Sequence, residues 1–424
     1  MKSDCPNNFL MSLKINSRRL SYFTFLFWLS LLVAPGPGCT KEPALEAAAP
    51  TIPAAPIAPA ASSRLLSSTL IGEYTPSTLA GRVPDLPIVS ALTQYSIRVY
   101  KLTYTTPNTD GRPVTASGAV LVPVASQPLP LLSYQHGTIS PKDEARAPSY
   151  YRSGGEVWTA ISVLASSGYL VVAPDYIGYG ASKSLPHPYE HAASLASASL
   201  NMMRAAREFC KQEKIQLNDK NFLLGYSEGG FATLALHKLI EEQHATEFTV
   251  TASAPGAGAY NKSAFANYIL KSDKPLNFLG SYVWVLDTYN RVYNINRPYT
   301  GYFQEPWASQ LQANPFAKVP EQAKELFTEP FRAGVLNKTD QPITAAFRDN
   351  DIYDWRPRAP LALFHGTADD YVPFFNSENA YKAMRARGAT QVELHPIKDG
   401  NHFSAVPQYT LEALAFFGEF QEIN

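Results

Sequence analysis

Short apolar runs alternate with longer amphipathic stretches from residue 96 onward. SIRVYKLTYTT (96–106) and VTASGAVLVP (114–123) flank Asn108-Thr109-Asp110-Gly111, a hairpin signal. The runs LPLLSYQ (129–135), GYLVVAPDY (168–176), NFLLGY (221–226), FTVTASA (248–254), APLALFHG (359–366) and QVELHPI (391–397) follow. Such nearly continuous apolar strands fit a parallel sheet buried on both faces. Helix-like segments lie between them at 156–167, 191–213, 228–242, 376–387 and 408–420. This order predicts a doubly wound α/β fold with an antiparallel N-terminal hairpin. One interval breaks the rhythm. Residues 256–350 hold many Tyr, Trp, Phe, Asn and Pro where a single helix is expected, and a structureless loop of that length does not suit a compact domain. An inserted, mainly helical cap is the expectation, with the α/β core in two parts at 65–255 and 351–424.

Ahead of this region the pattern changes. Lys14, Arg18 and Arg19 precede fifteen uncharged residues, Leu20 to Ala34, and Pro35-Gly36-Pro37-Gly38 stops the run. Fifteen residues fall short of the roughly 20 that cross a bilayer, so a signal peptide is expected over 1–39. Cys39 stands where a bacterial lipoprotein would carry its lipid, although Gly36 and Pro37 depart from the usual lipobox; simple secretion is the alternative. The Ala/Pro-rich stretch 40–64 reads as a tether. Cys5 would leave with the signal. Within the chain beyond Cys39, Cys210 alone remains, which allows no disulfide framework.

Composition narrows the classes further. With 45% apolar and 17% charged residues among 424, the chain has ample material for a core. Thirty-six basic residues balance 36 acidic ones, which gives no sign of nucleic-acid binding.

The chemistry starts at FLLGYSEGGFATLALHKL, from Phe222. Gly225, Gly229 and Gly230 surround Ser227 where strand should pass into helix, the pattern of a nucleophile elbow. A serine hydroxyl needs a base to take its proton. His402, after the last predicted strand, suits the order Ser…Asp…His. His395 lies in a strand, His237 and His244 in a helix, and His187 and His191 bracket a loop as structural or pocket-lining residues. For the acid, LFHGTADDYVPF places Asp369 and Asp370 past a buried strand; Asp369 is preferred, and Asp399 is too near His402 in sequence. Backbone N–H donors for the oxyanion are expected from Glu228 and Thr138, with His136 shaping the second loop. Tyr226, Trp284 and Trp307 are the substrate-binding candidates. The cap aromatics Tyr282, Trp284, Tyr289, Tyr293, Tyr302, Phe303 and Trp307 either wall an acyl pocket or form a satellite core.

In this order SYQHGT, VVAPDYIGYGAS…HPYEH, GYSEGG, HGTADDYVP and DGNHF resemble the α/β-hydrolase superfamily, and within it the secretory lipases of fungi and bacteria. The resemblance covers roughly residues 70–424. It implies an α/β-hydrolase fold, a helical cap, the triad Ser227, Asp369 and His402, and ester substrates ranging from triglycerides to small esters. Glu228 departs from the small or amide residue expected beside the nucleophile, and its carboxylate has no role in that pattern.

A cell-envelope serine esterase or lipase without metal or organic cofactor is the leading reading, its partners a small or lipid ester and, through Cys39, a membrane. A serine peptidase could use the same triad, but the motifs offer no charged anchor for a peptide terminus. A non-catalytic surface binding protein on the same fold would have no need of the triad.

Overall fold

The computed structural model describes residues 63–84 and 88–421. The expected signal peptide, Cys39 and nearly all of the tether lie outside the described residues. Nine strands form one sheet: β1 (Leu65–Tyr74), β2 (Ile97–Pro107), β3 (Pro113–Pro123), β4 (Leu129–Gln135), β5 (Leu170–Pro174), β6 (Leu217–Tyr226), β7 (Val250–Gly256), β8 (Leu361–Gly366) and β9 (Val392–Ile397). Their order is β1-β2-β3-β5-β4-β6-β7-β8-β9. β1, β2, β3 and β5 pair antiparallel in succession, whereas β5, β4, β6, β7, β8 and β9 run parallel.

The expected runs all become strands, and β1 is an addition. Its residues are mostly exposed and carry no two-residue alternation, so no buried face marks it in the sequence. It is an edge strand, paired to β2 across two register shifts. The Glu208 carboxylate anchors its start by accepting from the Arg64 and Leu65 N–H groups at 2.8 and 2.9 Å.

Two short helices, α1 (Pro76–Ala80) and α2 (Ile88–Leu92), precede β2. The sheet is then covered on both sides. Leu132, Tyr134, Phe222 and Leu224 point to one side, where α3 (Ser162–Ser166) and α13 (Val406–Gly418) supply Leu164, Phe416 and Phe417. The alternate residues Leu131 and Leu223 point to the other, against α4 (Ala192–Gln212) and α5 (Glu228–Gln243). α12 (Phe375–Ala386) packs on β8 and β9. A strand buried on both faces can keep an apolar run only if successive side chains serve different cores. These do.

Between β7 and β8 the chain leaves the sheet for six helices. They are α6 (Lys262–Lys271), α7 (Leu279–Val292), α8 (Trp307–Ala313), α9 (Ala323–Leu326), α10 (Glu329–Leu336) and α11 (Gln341–Asp349). Asn261 caps the first, its side chain accepting from the Ala264 N–H at 2.9 Å. The insertion holds its own core, including Phe265, Leu286, Tyr289, Tyr302, Phe303, Leu311, Phe327 and Phe331.

Candidate active site

The strand order turns back at β4. The chain passes from β4 to β5 on one side, then returns to place β6 on the other, which opens a crevice beyond the carboxyl ends of β4 and β6. Ser227 follows β6 directly in that crevice with φ 59° and ψ −123°, a left-handed φ at the residue just before α5. The surrounding glycines explain how so tight a turn packs. A Cβ on Gly225 would lie 2.4 Å from the Gly229 carbonyl oxygen, one on Gly229 2.0 Å from that of Gln135, and one on Gly230 2.0 Å from that of Gly256. Strand, turn and helix therefore touch backbone to backbone.

His402 comes from the loop between β9 and α13, and its Nε2 lies 2.9 Å from Ser227 Oγ. Its Nδ1 lies 2.7 Å from Asp369 Oδ2. A carboxylate can only accept there, so Nδ1 bears hydrogen and Nε2 is free to accept from the serine hydroxyl. Asp369 Oδ1 accepts from the Tyr371 and Val372 N–H groups at 2.9 and 2.8 Å, which fixes the carboxylate's angle. Asp370 points elsewhere and accepts from Asn277 Nδ2 at 3.3 Å. Asp399 is exposed on its loop. The three residues expected to act together thus form one hydrogen-bonded chain.

A second imidazole touches the acid. His365, fully buried at the end of β8, has Nε2 3.3 Å from Asp369 Oδ2 and 2.7 Å from the Val372 carbonyl. Ser377 Oγ holds its Nδ1 at 2.7 Å. Burial works to raise the Asp369 pKa, but hydrogen bonds and charge from His365 and His402 prevail and bring it down to about 2. Sequence reasoning missed His365, although its place directly before Gly366 in LFHGTADD is a usable signal.

On the other side of the crevice, β4 runs into His136-Gly137-Thr138. His136 is buried, with ring nitrogens 2.7 Å from the Gly137 carbonyl and 3.1 Å from that of Asp175, so it shapes the loop as expected. The Gly137 N–H donates to Glu156 Oε2 at 3.1 Å. The next amide, that of exposed Thr138, remains the expected second oxyanion donor. Glu228 N–H belongs to the first turn of α5, whose amides have no carbonyl partner within the helix.

The Glu228 side chain is fully buried. Its Oε1 lies 2.7 Å from His187 Nε2, while His187 Nδ1 lies 2.7 Å from the Ile177 carbonyl. Both ring nitrogens of His187 therefore face acceptors. Its ring sits among those of Tyr176, Tyr179, Tyr189 and Trp284. Nearby, Lys262 at the start of α6 bonds Glu190. Burial pushes the Glu190 carboxyl up and the Lys262 ammonium down, each opposed by its partner's charge. Neither pair is legible in sequence, because the partners stand 41 and 72 residues apart.

The substrate-binding candidates separate. Trp284, buried in the insertion's core, stacks on Tyr189 with ring centres 4.2 Å apart, and Tyr189 Oη lies 3.0 Å from Thr138 Oγ1. Tyr226 is buried beneath His402 and donates to its carbonyl at 2.8 Å, which ties the His402 loop to the end of β6. Trp307 packs into the insertion's own core, as do Tyr293, Tyr302 and Phe303. An apolar cavity of about 40 Å³ lies among Phe265, Tyr282, Leu286, Phe327 and Phe331, with Glu190 and Lys262 at its edge; Ser227 is not among its lining residues. Among the described residues no group of three or more His, Cys, Asp or Glu side chains converges as a metal site would require.

Comparison with known proteins places this geometry among relatives. The family model described as Secretory lipase matches residues 155–419. Lipase 10 of Candida albicans is 24% identical over 317 residues, covering 69% of this chain; the chain spans 66% of that relative's length. The rice cell wall degrading esterase LipA from Xanthomonas oryzae superposes with a TM-score of 0.72 at 28% identity, over 85% of this chain and 98% of that one. A protein of Legionella pneumophila gives 0.76 at 26% identity, over 85% and 100%. Candida antarctica lipase A, at 17% identity and 0.63, over 85% and 82%, shares the α/β-hydrolase fold.

Proposed function

From the premise that the chain belongs to the secretory lipase family, whose model matches most of its length, we propose that it is a serine carboxylic-ester hydrolase acting through an acyl-enzyme on Ser227. The coarser class, a lipase or esterase hydrolase, follows from the family itself. The observation that carries the finer reading is the unbroken hydrogen-bond chain from Ser227 through His402 to Asp369.

In this mechanism Ser227 Oγ attacks the ester carbonyl as His402 Nε2 takes its proton. Asp369 stabilises the resulting imidazolium and keeps Nε2 aimed at the serine. The oxyanion is met by the Glu228 and Thr138 N–H groups. As the acyl C–O bond breaks, His402 returns the proton to the departing alcohol oxygen. Water then gives His402 a proton, attacks the acyl carbonyl, and releases the acid with Ser227 restored. Labelling with a serine-reactive phosphonate, run beside paired ester and peptide substrates, tests the reading. Wild type should label and cleave esters; Ser227→Ala should do neither while keeping its melting temperature. A Ser227→Ala protein that still turns over esters at the wild-type rate would sink it.

Membership of a secretory family fits export. The finer proposal is that Cys39 carries a lipid anchor, motivated by its position after the apolar leader and before the Pro/Ala tether. Metabolic labelling with a fatty-acid probe in a competent host should mark wild type and spare Cys39→Ala; an unmarked wild type leaves simple secretion.

A further inference from the structure

Four rings form a closed circuit at the edge of the crevice. Tyr371 and Phe403 meet the His402 imidazole with centres 4.7 and 5.3 Å away. Phe278 lies 4.1 Å from Tyr371 and 5.9 Å from Phe403. Two of these rings are poorly explained by packing. Phe403 is 62% exposed and Phe278 is 42% exposed. Phe278 also holds φ 67° and ψ 18° just ahead of α7, a left-handed backbone that a bulky side chain rarely adopts. Burial of the ring would offset such strain, but here much of the ring faces water. Strain held where neither core packing nor backbone preference rewards it points to a ligand contact. Tyr371, between them, is pinned: its carbonyl accepts from Tyr282 Oη at 2.7 Å, and its hydroxyl is hydrogen-bonded to Ser281.

The position of the circuit identifies which part of a substrate it would meet. This step rests on the ester-hydrolase reading above. His402 Nε2 receives the Ser227 proton and delivers it to the alcohol oxygen as the acyl C–O bond breaks, so the alcohol portion must lie against His402. The oxyanion lies on the opposite side, toward Glu228 and Thr138. We infer that Phe278, Tyr371 and Phe403 form an alcohol-side subsite. The substrates it favours are esters whose alcohol carries a flat apolar ring next to the ester oxygen. Ring faces bind such a group by offset or edge contacts that a flexible alkyl chain of similar size reproduces less well.

The test compares benzyl and n-hexyl esters of one short acid, each below its solubility limit, by kcat/KM. Wild type should prefer benzyl. Phe403→Ala and Phe278→Gly should each lower the benzyl-to-hexyl ratio by roughly three- to tenfold, the worth of one aromatic contact. Glycine suits the left-handed backbone at 278, so the melting temperature of Phe278→Gly should hold or rise, which separates lost selectivity from lost folding. A ratio unchanged in both folded variants overturns the subsite. So does a defect seen only on emulsified or vesicle-borne esters, which would make these rings a lipid-docking surface. A folded wild type inert on every ester overturns the parent reading, and this one with it.

Discussion

Asp369 shows how much one carboxylate can depend on its neighbours. Two imidazoles and two backbone amides converge on it, and its pKa falls to about 2 from an ordinary 3.8 despite burial. A carboxyl depressed on folding contributes stability above its unfolded pKa and loses it as pH falls toward the folded value. Its contribution should be about 2 kcal/mol at pH 5 and vanish between about pH 4 and pH 2. Denaturant melts of wild type and Asp369→Asn across that window should converge as pH drops; a constant gap would show that the carboxylate's charge is not the stabilising feature. At pH 7 the same substitution should lower kcat by about 10⁴, because an amide favours the wrong imidazole tautomer. Asp370→Asn, at a side chain turned to Asn277, should cost far less. The Glu228–His187 pair gives a second expectation. His187→Phe leaves a buried carboxylate without its donor, so stability should fall by about 3–5 kcal/mol. Adding Glu228→Gln removes the charge and should recover most of it in the same melts. A double variant as unstable as the single one would mean His187 matters for its shape among the surrounding rings rather than for its bond to Glu228.

Among elements, the junction of β6 and α5 governs the site. Gly229 lets α5 press on the end of β4, so the turn bearing Ser227 and the loop leading to Thr138 share one close contact. Gly229→Ala must push them apart. A destabilisation of about 1–3 kcal/mol is expected from overpacking, with kcat falling more than KM rises because the proposed oxyanion donors lose their alignment. Unaltered kinetics in a folded Gly229→Ala protein would separate the elbow from the oxyanion loop. This junction was legible in sequence, since glycine spacing, an apolar run and a helical stretch all point to one turn. The buried strands were legible for the same reason: their apolar runs reflect two cores, as Leu131 and Leu132 do on opposite faces. β1 was not, because an edge strand with mostly exposed residues needs no pattern. Nor were Lys262 with Glu190, or the turning of Tyr226 beneath His402, because both depend on how distant segments meet. Among the cap aromatics, Trp284 and Trp307 both pack with the insertion's core, and Trp284 also stacks on Tyr189 beside Thr138.

At the scale of the whole molecule, the insertion stands between the nucleophile and the other two residues of the proposed triad along the chain. If its apolar cavity receives the acyl chain, each buried methylene should contribute up to about 0.8 kcal/mol until the space is full. Val285 lines that cavity, so Val285→Phe should shift the preferred acyl length downward across a chromogenic ester series. An identical length profile in the folded variant would assign acyl selectivity to the sheet-bearing core. The same order of segments has a consequence for synthesis. Ser227 and its proposed base, His402, are 175 residues apart, and α13 is the last described helix after His402. A ribosome releases the serine, then the entire insertion, before the histidine that would activate it. Throughout that interval the nascent chain carries the proposed nucleophile without its proposed base, so on this reading its reactivity waits until the C-terminal segment has been made and folded back onto the sheet.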